Sequence, residues 1–117
     1  MATTAYVNLT PHALNVRALD GSTLVLPPSP NGAARVVYDR LPPEQATLNG
    51  HEIAVAVAGS PREIIGLPDP EPRTIYVVAK AVADAAPASR GDLMSPGRLI
   101  RDEDGTVTGC DGLTRRA

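Results

Sequence analysis

The chain has almost no aromatic side chains: phenylalanine and tryptophan are absent, and the only aromatic residues are three tyrosines. Proteins that bind single-stranded nucleic acid without sequence preference stack the bases on aromatic rings. The formal net charge is −2, whereas a general nucleic-acid binder needs a concentrated basic surface. The composition therefore predicts no general nucleic-acid binding.

Cysteine and long apolar runs are also scarce. The single cysteine, Cys110, excludes an internal disulfide and a cysteine-cluster zinc site. His12 and His51 are too far apart in sequence to form a recognised metal pair, so neither a metal nor a cofactor is predicted. The chain shows no signal peptide and no apolar run of membrane-spanning length, which predicts a cytoplasmic protein.

The clearest structural signal is a change of residue type between segments 74–78 and 79–86 of the chain. The segment 74–78 is β-branched or aromatic throughout and almost continuously apolar, which predicts a central strand covered on both faces. The following segment, 79–86, is rich in alanine and predicts the main helix. Pro87 ends that helix, because its ring disfavours a helical conformation at Ala86.

Shorter patterns predict strands along the rest of the chain. They lie at 5–9, 14–19, 23–26, 34–38, 53–57, 62–65, 98–101 and 106–110, with hairpins at 14–26 and around Asp104-Gly105. Leu99 and Val107 are predicted to point inward. Loops are predicted at 42–50, where 43–46 allows a helical turn, and at 67–73, with a turn at 95–97 and a polar tail at 113–117.

These elements predict a single domain covering residues 1–117 with an α+β fold. The fold consists of a mostly antiparallel or mixed β-sheet of six to eight short strands with one main helix packed on it. One helix is too few for the crossovers of a parallel doubly wound sheet.

A charged cluster follows the predicted helix, and it contains Arg90, Asp92, Arg98, Arg101 and Asp102. Arginine can hold a phosphate group through two parallel hydrogen bonds. The acidic members of the cluster can equally neutralise the arginines in surface ion pairs. Both interpretations stay open at this point.

A second polar group, Asn8, Thr10 and His12, lies at the predicted end of the first strand. Thr10 can close a turn with its hydroxyl group, and His12 suits turn hydrogen bonding, ligand contact or acid–base work. We predict that this turn and the charged cluster border one pocket. The predicted ligand-binding residues are Asn8, Thr10, His12, Arg90, Asp92, Arg98, Arg101 and Asp102, and none is assigned a catalytic role.

Three blocks of the chain, NLTPHALNV at Asn8–Val16, IYVVAKAVADAAP at Ile75–Pro87 and RGDLMSPGRLIRDEDGTVTGC at Arg90–Cys110, resemble a group of small proteins from phages, prophages and actinobacterial genomes. Members of that group carry similar blocks in the same order. The resemblance implies a phage accessory protein acting inside the bacterial host cell. Phage accessory proteins of this size often act against host defence, including by sequestering nucleotide immune signals in pockets between subunits.

The resemblance and the residues together leave three functions open. The first is a binding protein that sequesters a small phosphorylated or nucleotide ligand, with arginine on the phosphate and Asn8, Thr10 or His12 on the base or ribose. The second is a virion accessory or an inhibitor that docks on a host protein without a small ligand. The third, and the least supported, is a small hydrolase that uses His12, so we expect the protein not to be an enzyme. A homo-oligomer is expected because the chain is short and poor in large apolar residues.

Overall fold

The computed structural model describes residues 3–116. Its ten strands and one helix occur in the following order. They are β1 (Ala5–Asn8), β2 (Leu14–Arg17), β3 (Thr23–Leu26), β4 (Arg35–Arg40), β5 (Glu44–Leu48), β6 (His51–Val55), β7 (Ala58–Ile65), β8 (Thr74–Val77), α1 (Lys80–Ala85), β9 (Leu93–Arg101) and β10 (Val107–Thr114). The protein is mostly β, so the predicted mixed sheet and single helix are confirmed, but α+β overstates the helical part.

Six strands form one mixed sheet in the order β1-β8-β9-β10-β2-β3. The pairs β1–β8, β8–β9 and β10–β2 are parallel, whereas β9–β10 and β2–β3 are antiparallel. The two edge strands approach each other at one end, where Asn8 bridges to Pro28 and the Ser29 N–H donates to the Asn8 carbonyl at 2.8 Å. The sheet is therefore nearly closed into a barrel, with an open seam between the rest of β1 and β3.

Strand β8 is central, as the sequence predicts. It pairs with β1 on one side and with β9 on the other, and Tyr76 and Val77 are buried. The chain enters α1 directly afterwards, with the flanking Ala79 and Ala86 in extended conformations. Val82 is the residue of α1 that is buried, so the helix covers the sheet through a narrow apolar face.

The main core lies between α1 and the outer face of the six-stranded sheet. It comprises the buried residues Leu9, Ala34, Tyr76, Val78, Val82, Ala86 and Leu93. Val36 of β4 and Ile64 of β7 are partly buried and pack against this core. Each fully buried aliphatic side chain stabilises the fold by about 1.5–3 kcal/mol. The core thus fixes the base of the segment 35–65 to the sheet.

Segment 35–65, here named the arm, is a long two-stranded ribbon. β4 pairs with β7 near its base and β5 pairs with β6 near its tip. Its tip is Asn49-Gly50, with φ of 49° and 82°, the dipeptide that favours a tight hairpin turn. The arm explains the elongated shape, which measures 64 × 38 × 29 Å. The radius of gyration is 17.7 Å, against roughly 13 Å for a compact domain of this size.

The predicted loop at 42–50 is wrong, because most of it is strand β5. The prediction treated Glu44 and Gln45 as loop residues because they are polar, but both faces of this ribbon are exposed. A strand that is solvated on both faces carries no apolar alternation from which to predict it. The Asn49-Gly50 dipeptide was the available signal for a hairpin.

The predicted turn at 95–97 is also wrong, since it lies inside the nine-residue strand β9. Pro96 lies opposite Leu113 in the pairing of β9 with β10. A Cβ atom at Gly97 would lie 2.0 Å from the Asp111 carbonyl oxygen, so glycine allows a close backbone approach here rather than a turn.

Two smaller predictions about this hairpin need correction. Leu99 lies opposite the buried Cys110 and so shares its face, but Leu99 and Val107, both predicted to point inward, are 49% and 46% exposed. The predicted polar tail at 113–117 begins instead as the end of β10, which includes Thr114. Ala117 lies outside the described residues. Within residues 3–116, no helix is long and apolar enough to cross a membrane.

Candidate functional site

Asn8 and Thr10 form a closed hydrogen-bond network at the end of β1. The Asn8 Nδ2 amide donates to the carbonyls of His12 and Leu26, both at 2.9 Å. The Asn8 Oδ1 oxygen accepts from the Thr10 N–H at 2.9 Å and lies 2.6 Å from the Thr10 hydroxyl. Both residues are buried. Their polar atoms are therefore occupied in joining the turn to the end of β3.

His12 lies in the same turn, but its side chain is exposed. The recorded hydrogen bonds of His12 use its backbone carbonyl. Among the residues that the structure describes, none hydrogen-bonds to its imidazole ring. His12 is thus accessible to a ligand, without a neighbour that positions the ring for proton transfer.

Three of the predicted charged residues lie at the C-terminal end of β9. Arg98, Arg101 and Asp102 are exposed. The Arg101 Nη1 donates to the Gly105 carbonyl at 2.9 Å. The Asp102 Oδ1 accepts from the N–H groups of Asp104 and Thr106 at 2.9 and 3.0 Å. Arg101 and Asp102 therefore shape the β9–β10 turn.

Arg90 and Asp92 form an ion pair at the opposite end of β9. Two hydrogen bonds of 3.0 Å join Nε to Oδ1 and Nη2 to Oδ2. Nη2 also donates to the Pro68 carbonyl at 2.9 Å. The two side chains are only 14% and 15% exposed. The hydrogen bonds from Arg90 lower the pKa of Asp92 despite its burial, and the same bonds raise the pKa of Arg90.

The eight predicted ligand-binding residues consequently fall into two groups. β2 begins at the end of the sheet where β10 begins and β9 ends, because Val16 pairs with Cys110 and Arg101 with Val107. His12, which precedes β2, lies at that end together with Arg101. Arg90 and Asp92 are at the other end of β9, roughly 26 Å away at about 3.3 Å per residue.

Arg115 and Arg116, which the sequence analysis placed in a polar tail, line a different cavity together with Arg90. A cavity of about 320 Å³ is lined by residues of α1, the segment 88–93 and the C-terminal segment. We name it the basic cleft, and its lining residues are Ala83, Ala88, Arg90, Gly91, Leu93, Arg115 and Arg116. The Arg-Arg pair at 115–116 was visible in the sequence, but only the course of β10 places it beside Arg90.

Arg116 is held against the C-terminal end of α1. Its Nη1 donates to the carbonyls of Ala83 and Ala86, both at 2.9 Å, and its Nη2 donates to the Pro87 carbonyl at 2.8 Å. Helix C-terminal carbonyls are unsatisfied by the helix itself and favour a cation. Arg116 therefore stabilises the helix end while keeping its full positive charge in the basic cleft.

A second and larger concavity opens along the seam between β1 and β3. Its volume is about 630 Å³, and we name it the apolar cup. Its lining residues are Tyr6, Val16, Arg17, Ala18, Leu19, Leu24, Leu26, Met94, Asp111, Gly112 and Leu113. The charged members form one ion pair, with Arg17 Nε 2.6 Å from Asp111 Oδ1. The cup is therefore apolar and electrically balanced, unlike the basic cleft.

The described residues contain no group of three or more His, Cys, Asp or Glu side chains that could hold a metal ion. Cys110 is buried as a free thiol. Comparison with protein-family models, with curated proteins and with solved structures found no match.

Proposed function

We propose that the protein binds a small phosphorylated or nucleotide ligand in the basic cleft and holds it without converting it. The observation that carries this proposal is that three arginines, Arg90, Arg115 and Arg116, line one cavity. Arginine is suited to a phosphate because its planar fork offers two parallel charge-assisted hydrogen bonds. The cavity volume lies at the lower end of the range for small-molecule sites.

The balance of charge in the cleft favours an anion. Asp92 neutralises Arg90, whereas Arg116 is bonded to neutral carbonyls. Arg115 forms no ion pair with another described residue. The Arg90 Nη1 nitrogen takes no part in the bonds to Asp92 and Pro68. The excess positive charge of the cleft therefore lies on Arg115 and Arg116, and Arg116 is already held in place by its bonds to the end of α1, which lowers the ordering cost of binding.

The proposal changes the set of ligand-binding residues. The side-chain amide of Asn8 and the hydroxyl proton of Thr10 are already used in hydrogen bonds, so we assign both residues a structural role in the proposal. His12, Arg98 and Arg101 define an alternative location for the ligand at the other end of β9. Arg90 belongs to both the sequence prediction and the basic cleft.

The biological context rests on the resemblance to small phage and prophage proteins. In that context the ligand is a nucleotide signal of host immunity, and sequestration by a homo-oligomer lowers its free concentration. The balanced apolar cup and the formal charge of −2 are consistent with a small anion as ligand rather than a long polyanion.

Analysis of co-purified small molecules tests the proposal. Protein purified from phage-infected or signal-producing cells is denatured, and the released molecules are identified by mass spectrometry. We expect a phosphorylated compound in stoichiometric amount, recovered unchanged after incubation with fresh protein. Release of no such compound, together with no binding of adenosine 5′-diphosphate or pyrophosphate in calorimetry, would contradict the proposal. Conversion of the compound would favour the hydrolase.

A second candidate is a virion accessory or interaction protein without a small ligand. The arm favours this candidate, because it extends both β5 and β6 into solvent with all of their residues exposed. Long exposed ribbons are suited to docking on another protein. Recovery of the protein in purified virions, with no released ligand, would support this candidate over the first.

A further inference from the structure

The seam between β1 and β3 leaves two strand edges open beside the apolar cup. The N–H groups of Ala5 and Leu9 donate toward β8, so the backbone groups of Tyr6 point to the seam. The N–H of Ala18 donates to Ser22, and alternation along the β2–β3 ladder then points the backbone groups of Thr23 to the seam. Within residues 3–116 one backbone bridge, at Asn8 and Pro28, crosses it.

The side chains around the seam are apolar, as in the interior of a small barrel, but those nearest the seam are exposed. Tyr6 and Leu24 are 48% and 56% exposed, although both line the cup. Val16 and Cys110, deeper in the same curved sheet, are buried. Interior positions of small barrels are normally filled by side chains. The cup is therefore suited to an apolar segment, and the open edges of β1 and β3 are suited to pairing with a strand of that segment.

The tip of the arm has both properties. The register of β5 and β6 places the apolar residues Ala46, Leu48, Ile53 and Val55 on one face of the ribbon, together with Glu44 at the base end and His51 at the tip. Leu48, Ile53 and Val55 are 58%, 39% and 38% exposed. The opposite face carries Gln45, Thr47, Glu52 and Ala54 and is mostly polar. One face of the ribbon thus has an apolar centre between Glu44 and His51, here called the wedge, and the ribbon has free strand edges along both sides.

The wedge and the cup do not meet within one chain. The base of the arm is fixed to the main core through Val36 and Ile64. From Arg35 the ribbon runs roughly 43 Å to Leu48, at about 3.3 Å per residue. Every residue of β5 and β6 remains exposed.

We propose that the arm of one copy inserts into the seam of a second copy, with its apolar face in the cup and its strand edges along β1 and β3. The occupant is a second copy because each chain carries one wedge and one cup of matching character, and neither is filled. At the cup the charges of Arg17 and Asp111 are already paired, and on the wedge face Glu44 lies at the base end beside Val55, away from the tip. This inference is independent of the ligand proposed for the basic cleft.

The small size of a single insertion favours an assembly in which each copy uses both surfaces. The apolar face of the tip is roughly 16 Å long and 10 Å wide, from about 3.3 Å per residue and 4.8 Å between strands plus the side chains. One insertion is small beside the about 800 Å² per partner of a standard interface. A closed assembly, in which every copy gives an arm and accepts one, doubles the buried area of each copy.

Light scattering on matched variants tests the insertion. The monomer mass is 12.2 kDa, and we expect the wild-type protein at about 100 µM to have at least twice that mass. Leu48→Asp in the arm and Leu24→Asp in the cup should each reduce the mass to that of the monomer. Thr47→Asp adds the same charge on the opposite face of the ribbon and should leave the mass unchanged. Both leucines are more than half exposed, so circular dichroism should show a folded chain.

A complementation experiment then distinguishes insertion from other contacts. Leu48→Asp retains a working cup, and Leu24→Asp retains a working arm. An equimolar mixture should therefore regain one contact and show a mass near twice that of the monomer. A wild-type monomer, or a mixture that stays monomeric, would overturn the proposal.

Engineered cysteines identify the surfaces that meet. Mixing Leu48→Cys with Leu24→Cys under mild oxidation should give a disulfide-linked pair containing one copy of each variant. Each variant alone should cross-link at least fivefold less, and the native Cys110 is buried. Efficient cross-linking of Leu48→Cys alone would show arm-to-arm contact and would overturn the insertion.

Discussion

Arg90 and Asp92 meet side by side through two hydrogen bonds of equal length, with Nε to Oδ1 and Nη2 to Oδ2 both at 3.0 Å. The pair closes one wall of the basic cleft and, through the Pro68 carbonyl, holds the loop before β8. Tyr76 supports the same loop, because its hydroxyl lies 3.4 Å from the Asp69 carbonyl. The pair therefore links the candidate site to the stability of the fold.

Asp92→Asn should destabilise the protein at neutral pH by about 2 kcal/mol, the range for a hydrogen bond to a charged group. The pKa of Asp92 is lowered below its ordinary value in the folded state, chiefly because of the hydrogen bonds from Arg90. The carboxylate thus contributes stability above the unfolded-state pKa, and this contribution is lost as the pH falls through the folded-state pKa.

Urea unfolding between pH 7 and pH 2 measures this effect. The difference in the free energy of unfolding between wild type and Asp92→Asn should be constant near neutral pH and should shrink below about pH 4. Asp84→Asn is a suitable control, because Asp84 pairs with Lys80 at an exposed position where ion pairs contribute little. A difference independent of pH would contradict the role assigned to the ion pair.

Asn8→Ala should be among the most destabilising polar substitutions, by about 2–3 kcal/mol or more. It removes the partner of the Thr10 N–H and the amide donor of the His12 and Leu26 carbonyls, and the His12 carbonyl keeps only the Thr10 hydroxyl. Asn15→Ala is the matched control, since Asn15 makes one exposed bond of 3.2 Å to the Thr108 carbonyl. Equal unfolding midpoints in urea for the two variants would count against the structural role of Asn8.

The central strand and its helix could be predicted because residue type alone distinguishes them. The run from Thr74 to Val78 is β-branched or aromatic, and the alanines after it favour a helix until Pro87. The arm could not be predicted in the same way, because Glu44 and Gln45 face water on a ribbon without an apolar core. Because polar residues are also typical of loops, the sequence predicts a loop at these positions.

The candidate site was less accessible to sequence reasoning than the fold. Arg90 was predicted as a ligand residue, but its partners Arg115 and Arg116 are distant in sequence and approach it only through the β9–β10 pairing. The roles of Asn8 and Thr10 also depend on a distant segment, since the Leu26 carbonyl belongs to β3. Composition indicates which groups can bind phosphate, but tertiary structure decides which of them meet.

Gly97→Ala should destabilise the β9–β10 pairing by about 1–3 kcal/mol, the usual cost of inserting a methyl group into packed structure. The added Cβ atom would lie 2.0 Å from the Asp111 carbonyl oxygen, so the strands must separate locally. Gly91→Ala provides the control, because a Cβ atom there has nothing within 4 Å. Thermal unfolding compares the two, and a melting temperature of Gly97→Ala equal to that of Gly91→Ala would disprove the close approach.

Calorimetric titration with adenosine 5′-diphosphate tests the central claim that the basic cleft holds a phosphorylated ligand. Arg115→Ala is the most informative variant, because Arg116→Ala would also remove three hydrogen bonds to the end of α1. We expect Arg115→Ala to weaken binding by about 1.5–3 kcal/mol, or tenfold or more in Kd, with a larger loss at low salt. Arg62→Ala on the arm, where the side chain is 62% exposed, should bind as tightly as wild type. Unchanged affinity in Arg115→Ala, with a loss in Arg101→Ala instead, would place the ligand at the His12 end of β9 and contradict the account.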